Sequence, residues 1–165
     1  MIIKADADDL PAIAVLNYLA YREMAARVPA WSSEEFFHSL VTRRAQNATF
    51  FMLRQDDQVI GSVAYSEPGR SVDPIPAAWA SVLLLAVHPE HRGNGYGRLL
   101  VSECISRAKQ DKAETIGLFT SELMTPARQL YETLGFQIAQ EIAPRLGLRY
   151  WLYRYDCHRD ECPMK

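Results

Sequence analysis

The chain is short of cysteine, of net charge and of long apolar runs, and each shortage removes a class of protein. Three cysteines in 165 residues are too few for a disulfide scaffold. Cys104 falls in an apolar helical pattern and reads as a small core residue. Cys157 and Cys162 flank His158 in the tail, but a structural zinc site needs four ligands at recognised spacings, so no metal is expected and the tail reads as a frayed polar end. Eighteen Lys and Arg against 20 Asp and Glu leave a net charge of -2, without the clustered positive charge that binds nucleic acid. No stretch approaches the roughly 20 apolar residues of a membrane span. Met1-Ile2-Ile3-Lys4 lacks a signal-peptide layout, so a cytoplasmic protein is the expectation.

What is present is the ordinary mix of a globular domain: 48% hydrophobic and 23% charged residues. The length predicts a single domain over 1–165, with 156–165 as a flexible tail. Ile2 to Ala5 reads as an opening strand. Asp6 and Asp9 offer an N-cap for a helix running toward Arg27, with Pro29 as its breaker. Ser32 and Glu35 stand at capping-box spacing before a second amphipathic helix. Phe50 to Arg54 and Val59 to Tyr65 read as a hairpin about a polar turn. Glu67 to Pro76 is a long loop with three prolines and a glycine, a length that favours function over mere connection. Ala78 to Val87 is a nearly unbroken apolar run, as in a strand covered on both faces. A helix from Gly97 to about Asp111, a strand from Thr115 to Thr120, and a helix ended by Gly135 follow. Phe136 to Gln140 and Tyr150 to Tyr155 supply the last strands. The order is β-α-α-β-β-β-α-β-α-β-β, a mixed α/β sheet.

Chemistry concentrates where the apolar strand Leu83 to Val87 turns into Arg92-Gly93-Asn94-Gly95-Tyr96-Gly97-Arg98 and a helix. A helix start leaves its first four N–H groups without internal partners, and the aligned peptide dipoles add positive potential there. Glycines let a phosphate approach those groups without meeting a Cβ. A diphosphate ligand is therefore the expectation, with Arg92 and Arg98 as counter-charges. A P-loop would need Lys and then Ser or Thr after the last glycine, where Arg98 and Leu99 stand. The dinucleotide fingerprint spaces its third glycine differently. The plain alternative is that the glycines only shape a tight turn.

V-x-P-x-x-R-G-N-G-Y-G-R-L-L, followed about 30 residues later by A-R-Q-L-Y-E-T-L-G-F, resembles the GNAT superfamily of acetyl-CoA-dependent N-acyltransferases. Arg92, Gly95 and Gly97 match its R/Q-x-x-G-x-G/A coenzyme motif. Ala127, Leu130, Tyr131, Gly135 and Phe136 match its A-x-x-L-Y-x-x-x-G-F block. The resemblance implies a splayed central sheet of about seven strands with helices on both faces, opened at a bulge between the strand ending at Val87 and the one ending at Thr120. It implies acetyl-CoA as co-substrate, its pantetheine arm on the backbone of Leu85, Ala86 and Val87. The diphosphate would rest on the N–H groups of Arg92, Gly93, Asn94, Gly95, Tyr96, Gly97 and Arg98. Many members carry Asn where this chain has Met124; Ser121 and Thr125 are the nearby polar substitutes.

The implied reaction is direct attack of a primary amine on the thioester in a ternary complex. An alkylammonium, pKa about 10.4, must lose a proton, and a thiolate of about 8.5 gains from receiving one. The Val87 N–H is the oxyanion donor. Tyr131 is the acid by resemblance, although its helical stripe alone would make it a packing residue. Glu67 is the candidate base. Glu23, His88 and His91 are weaker candidates, since charged or loop residues there are ordinarily solvated. The acceptor is a small-molecule amine or, alternatively, a protein or peptide; an acyl-CoA-binding regulatory module without catalysis is the rival of another class. The acceptor would be chosen by 21–33, 67–77 and the C-terminal hairpin, and a homodimer is compatible with the fold.

Overall fold

The structure is a computed structural model of the chain, and it describes residues 1–70 and 72–158. Seven strands form one mixed sheet in the order β1-β2-β3-β4-β5-β7-β6. They are β1 (Ile2–Lys4), β2 (Thr49–Gln55), β3 (Gln58–Ser66), β4 (Ala80–Val87), β5 (Thr115–Ser121), β6 (Gln137–Arg145) and β7 (Leu148–Asp156). The helices are α1 (Leu10–Tyr21), α2 (Glu34–Ala45), α3 (Tyr96–Gln110) and α4 (Thr125–Leu134). The chain divides into two compact units, Met1–Ser66 with Leu83–Ser102, and Glu67–Val82 with the chain from Glu103 on.

In the first unit the β2–β3 hairpin forms about Asp56 and Asp57, whose φ values of 51° and 65° are the left-handed pair of a tight two-residue turn. α1 packs on β3 and on α2. Ile13, Leu16, Phe37, Val41, Phe51 and Val63 fill the space between them, each at most 2% exposed. Side chains of this kind contribute about 1.5–3 kcal/mol each when fully buried. Gly61 lets α3 approach β3: a Cβ there would stand 3.1 Å from Cδ1 of Leu100. The Asp6 and Asp9 pair forms a capping box, the Asp9 carboxylate accepting from the Asp6 N–H at 2.9 Å. It caps a 3-10 turn, Ala7–Asp9, that leads into α1, and α1 itself starts without a side-chain cap. Two boundaries differ from the sequence reading. α1 ends at Tyr21 and continues as a 3-10 turn, Arg22–Met24. The N-cap of α2 is Ser33, which accepts from the Phe36 N–H, whereas the Ser32 hydroxyl donates back to the Pro29 carbonyl.

In the second unit the β4–β5 ladder is parallel but consists of two register pairs, Ala80 with Ile116 and Ser81 with Gly117. This short ladder is the splay expected of the sheet. β5 then runs antiparallel to β7, and β7 to β6. Gly117 is required where it stands, because a Cβ there would meet Cε3 of Trp79 at 2.6 Å. The last hairpin is longer than its sequence suggested. Pairing continues beyond Gln140, past Pro144, to Arg145 and Leu148 around Leu146 and Gly147, both at positive φ. Of the segment expected as a tail from 156, Asp156 closes β7, and Cys157 is buried with its N–H donating to the Glu114 carbonyl. Residues 159–165, Cys162 among them, lie outside the described residues. Burial pushes the Cys104 and Cys157 thiols up.

Candidate active site

β4 carries the first feature of the site in its own backbone. Leu84 adopts φ 51° inside the strand, a left-handed conformation costing a residue with a Cβ roughly 1–2 kcal/mol. Leu85, Ala86 and Val87 follow as the last residues of β4. The His88 N–H then returns to the sheet, donating to the Ile60 carbonyl at 2.8 Å.

The chain next makes a short 3-10 turn, Pro89–His91, started by proline and fastened by the Glu90 N–H donating to Nδ1 of His88 at 3.1 Å. The His91 carbonyl accepts from Nδ2 of Asn94 at 3.0 Å, so Asn94 braces the loop rather than only spacing its glycines. Gly93 and Gly95 sit at φ 82° and 81°. A Cβ at either would meet nothing within 4 Å. No neighbouring side chain therefore demands glycine here; backbone conformation and an open approach do. α3 starts at Tyr96, and its first turn closes with the Leu99 N–H on the Gly95 carbonyl at 3.1 Å. The N–H groups of Tyr96, Gly97 and Arg98 precede that bond and have no helical acceptor.

The two arginines of the loop differ. Arg98 is exposed. Arg92, expected as a counter-charge, turns to the end of α1: it bonds Oε1 of Glu23 at 2.7 Å and donates to the Ala20 carbonyl at 3.1 Å. Beside it the Tyr21 hydroxyl donates to the Leu85 carbonyl at 2.6 Å. These ties join residues 64 to 72 positions apart, and no local spacing signals them.

Tyr131 and Glu67 belong to the second unit. α4 begins with Pro126 in its first turn and ends at Gly135, φ 111°, whose N–H and that of Phe136 both reach the Tyr131 carbonyl. Tyr131 is 6% exposed and packs on Phe136 and Tyr153, ring centroids 5.9 and 6.3 Å away. The Tyr153 hydroxyl accepts from Nε of Arg128 and donates to Glu132. Burial raises its pKa, Arg128 opposing and Glu132 adding to the rise. Glu67 is exposed and paired with Arg70 at 3.3 Å, an ordinary solvated ion pair. Met124 is the residue before α4 and gives no side-chain cap. Of its two polar substitutes, Ser121 accepts from the Leu123 N–H at 3.3 Å, while Thr125 is exposed at the helix start. Among the described residues no group of three or more His, Cys, Asp or Glu is placed to hold a metal ion, and no helix is long and apolar enough to cross a membrane.

A strand interrupted by a left-handed residue, a glycine turn with an open approach and the start of α3 thus follow one another directly in the chain. The model of the acetyltransferase (GNAT) family matches residues 12–136, and the chain belongs to that family.

Individual relatives are more distant. The chain is similar to yncA of Salmonella typhimurium, solved with its cofactor acetyl-CoA, at 19% identity and a TM-score of 0.72 over 99% of this chain and 97% of that one. It is similar to the ribosomal-protein-S18-alanine N-acetyltransferase of Escherichia coli at 19% identity and a TM-score of 0.70, over 95% and 93%. These likenesses establish the fold. In sequence it is 30% identical to the UPF0157 protein YqkA of Bacillus subtilis over 105 residues, 64% of this chain and 28% of that protein. The chain thus spans little more than a quarter of YqkA.

Proposed function

We propose that this acetyltransferase-family chain moves an acetyl group from acetyl-CoA to the primary amine of a small molecule, by direct attack within a ternary complex. The observation that carries the reading is the pair Gly93 and Gly95, left-handed and open where a Cβ would stand, immediately before the free N–H groups of α3. Such a surface accepts a diphosphate, and acetyl-CoA carries one. The pantetheine arm would add to the backbone of Leu85 to Val87 like a further strand. The Val87 N–H would take the developing oxyanion, where a preorganised donor is worth several kcal/mol. Arg98 supplies the counter-charge to the phosphates, since Arg92 is committed to Glu23 and Ala20.

Tyr131 would return a proton to the departing thiolate, and Glu67 would take one from the incoming ammonium, directly or through water. Glu67 is the weaker assignment of the two, because its partner is Arg70 and its surroundings are solvent. The family match over residues 12–136 spans segments of both compact units, and we infer one acyltransferase domain. A peptide acceptor is the second reading, favoured by the likeness to the ribosomal-protein-S18-alanine N-acetyltransferase.

Calorimetric titration with acetyl-CoA, with dephospho-CoA and NAD as controls, tests the coenzyme. Selective one-to-one binding is expected; no binding by folded protein refutes the reading. Thiol release against a panel of small amines and N-terminal peptides then separates the two acceptors. Tight binding without thiol release from any of them would support the regulatory-module rival instead.

A further inference from the structure

The free edge of β4 is where the thioester lies in the reading above, and one side chain of the first unit already reaches it. Neighbouring residues of a strand turn their N–H and C=O groups to opposite edges. The His88 N–H donates to the Ile60 carbonyl on β3. The main-chain groups of Ala86 therefore face β3, and those of Val87 and Leu85 leave by the other edge. That edge follows directly on Leu84, whose φ of 51° interrupts the pleat. The Leu85–Ala86 peptide beyond this break turns its Ala86 N–H toward β3, and its carbonyl, at the open edge, can tilt about the flanking dihedrals unless something holds that end.

What holds it is the Tyr21 hydroxyl, donating to the Leu85 carbonyl at 2.6 Å, a short bond for an O–H donor. Tyr21 is itself confined. Its ring stacks on Phe37, centroids 5.8 Å apart at an interplanar angle of 16°, and meets the edge of Trp31 at 5.3 Å. Phe37 and Trp31 are both buried. The chain on either side of Tyr21 is tied down by Arg92, through the Ala20 carbonyl and the Glu23 carboxylate. The end of α1 is thus fastened to the strand by Tyr21 and to the glycine turn by Arg92.

We propose that Tyr21 is a positioning residue: its hydroxyl fixes the Leu85–Ala86 peptide after the left-handed Leu84, and thereby aims the Val87 N–H at the thioester carbonyl. This rests on the acetyl-CoA reading. The tie uses one of the two lone pairs of the Leu85 oxygen and leaves the other for the pantetheine amide. Its effect is on the direction of a donor, not on the affinity of the diphosphate, so binding and carbonyl polarisation should separate when the hydroxyl is removed.

The experiment follows the carbonyl resonance of acetyl-CoA labelled with carbon-13 at that carbon, bound to wild type and to Tyr21→Phe, which keeps the ring and its stacking. In wild type the resonance is expected downfield of free acetyl-CoA, as a hydrogen-bonded thioester carbonyl should be. In Tyr21→Phe most of that displacement should vanish, while calorimetric affinity for acetyl-CoA stays within about fivefold, the range set by one neutral hydrogen bond. An undiminished displacement in Tyr21→Phe overturns the proposal and leaves the acetyl-CoA reading intact. Failure of wild type to bind acetyl-CoA overturns both. If Tyr21→Phe does not fold, 3-fluorotyrosine at position 21 retains ring and donor. Its hydroxyl is more acidic and a stronger donor, so the displacement should change, and a displacement identical to that of wild type overturns the proposal equally.

Discussion

Gly95→Val tests the glycine turn through two separable costs. The first is paid by the backbone: a β-branched residue forced to φ 81° loses at least the roughly 1–2 kcal/mol of any L side chain in that region, so the unliganded variant melts several degrees lower. The second concerns the ligand alone. The new side chain projects into space where the protein has no atom within 4 Å, in front of the N–H groups of Tyr96, Gly97 and Arg98. Losing two charge-assisted bonds there, at about 1.5–3 kcal/mol each, weakens acetyl-CoA roughly 10²- to 10⁴-fold. At a concentration 100 times the wild-type Kd, acetyl-CoA stabilises wild type by about 2.7 kcal/mol. For a chain of this size that is about 5–10 °C in Tm. A 100-fold weaker variant at the same concentration retains about 0.4 kcal/mol, a shift of about 1 °C. The assay is a thermal melt with and without acetyl-CoA, and the ligand-induced difference is the quantity compared. Gly147→Val is the control: Gly147 has φ 74°, is equally open and lies in the last hairpin turn. It carries the same backbone cost and should keep the full shift. A full shift in Gly95→Val would refute the phosphate-turn reasoning.

Tyr131→Phe should bind acetyl-CoA as wild type does and turn over about 10²-fold more slowly or worse, the usual cost of a lost general acid; equal turnover where chemistry limits the rate assigns Tyr131 to packing alone. Gly117→Ala should cost about 1–3 kcal/mol, because its Cβ would stand 2.6 Å from Trp79 and 3.2 Å from the Tyr153 carbonyl. Trp79→Ala in the same chain should recover part of that loss, and strict additivity in denaturant melts would argue against the clash. Asp9 titrates below its ordinary 3.8, first because the Asp6 N–H donates to it and then, against desolvation, because of Arg54. A depressed carboxyl stabilises the fold above its unfolded pKa and loses that contribution as pH falls through the folded value. The gap in urea midpoint between wild type and Asp9→Asn should therefore be full at neutral pH and shrink as the pH is lowered below 3.8; a gap that persists undiminished in acid refutes the account.

The order of elements was legible because most of them announce themselves locally. Asp56 and Asp57 sit between two apolar runs, Gly135 ends a helical stripe, and the run from Ala78 to Val87 is too apolar for anything but a central strand. The glycine turn was legible for the same reason, its conformation being a property of consecutive residues. Boundaries shifted where two residues could serve one purpose. Ser32 and Ser33 can both cap, and Ser33 wins because its backbone is extended at φ -105° and ψ 117° while Ser32 closes a 3-10 turn. The last hairpin outran its expected length because β6 is a largely exposed edge strand, with little apolar alternation to mark its extent, and an edge strand tolerates Pro144. The ties of Tyr21 to Leu85 and of Arg92 to Glu23 were invisible in principle. Each depends on a three-dimensional approach of segments more than 60 residues apart, for which a single sequence carries no periodic or compositional trace.

Leu84 sets stability against purpose within one residue. Glycine at that position would accept φ 51° without steric cost, and selection for thermal tolerance alone would drift toward it. Released from its side chain, the strand could also relax toward the ordinary pleat, and the edge that Leu85 and Val87 now present would change direction. A screen that ranks variants of this chain by melting temperature is thus expected to enrich changes at Leu84 that an assay of acetyl transfer would discard.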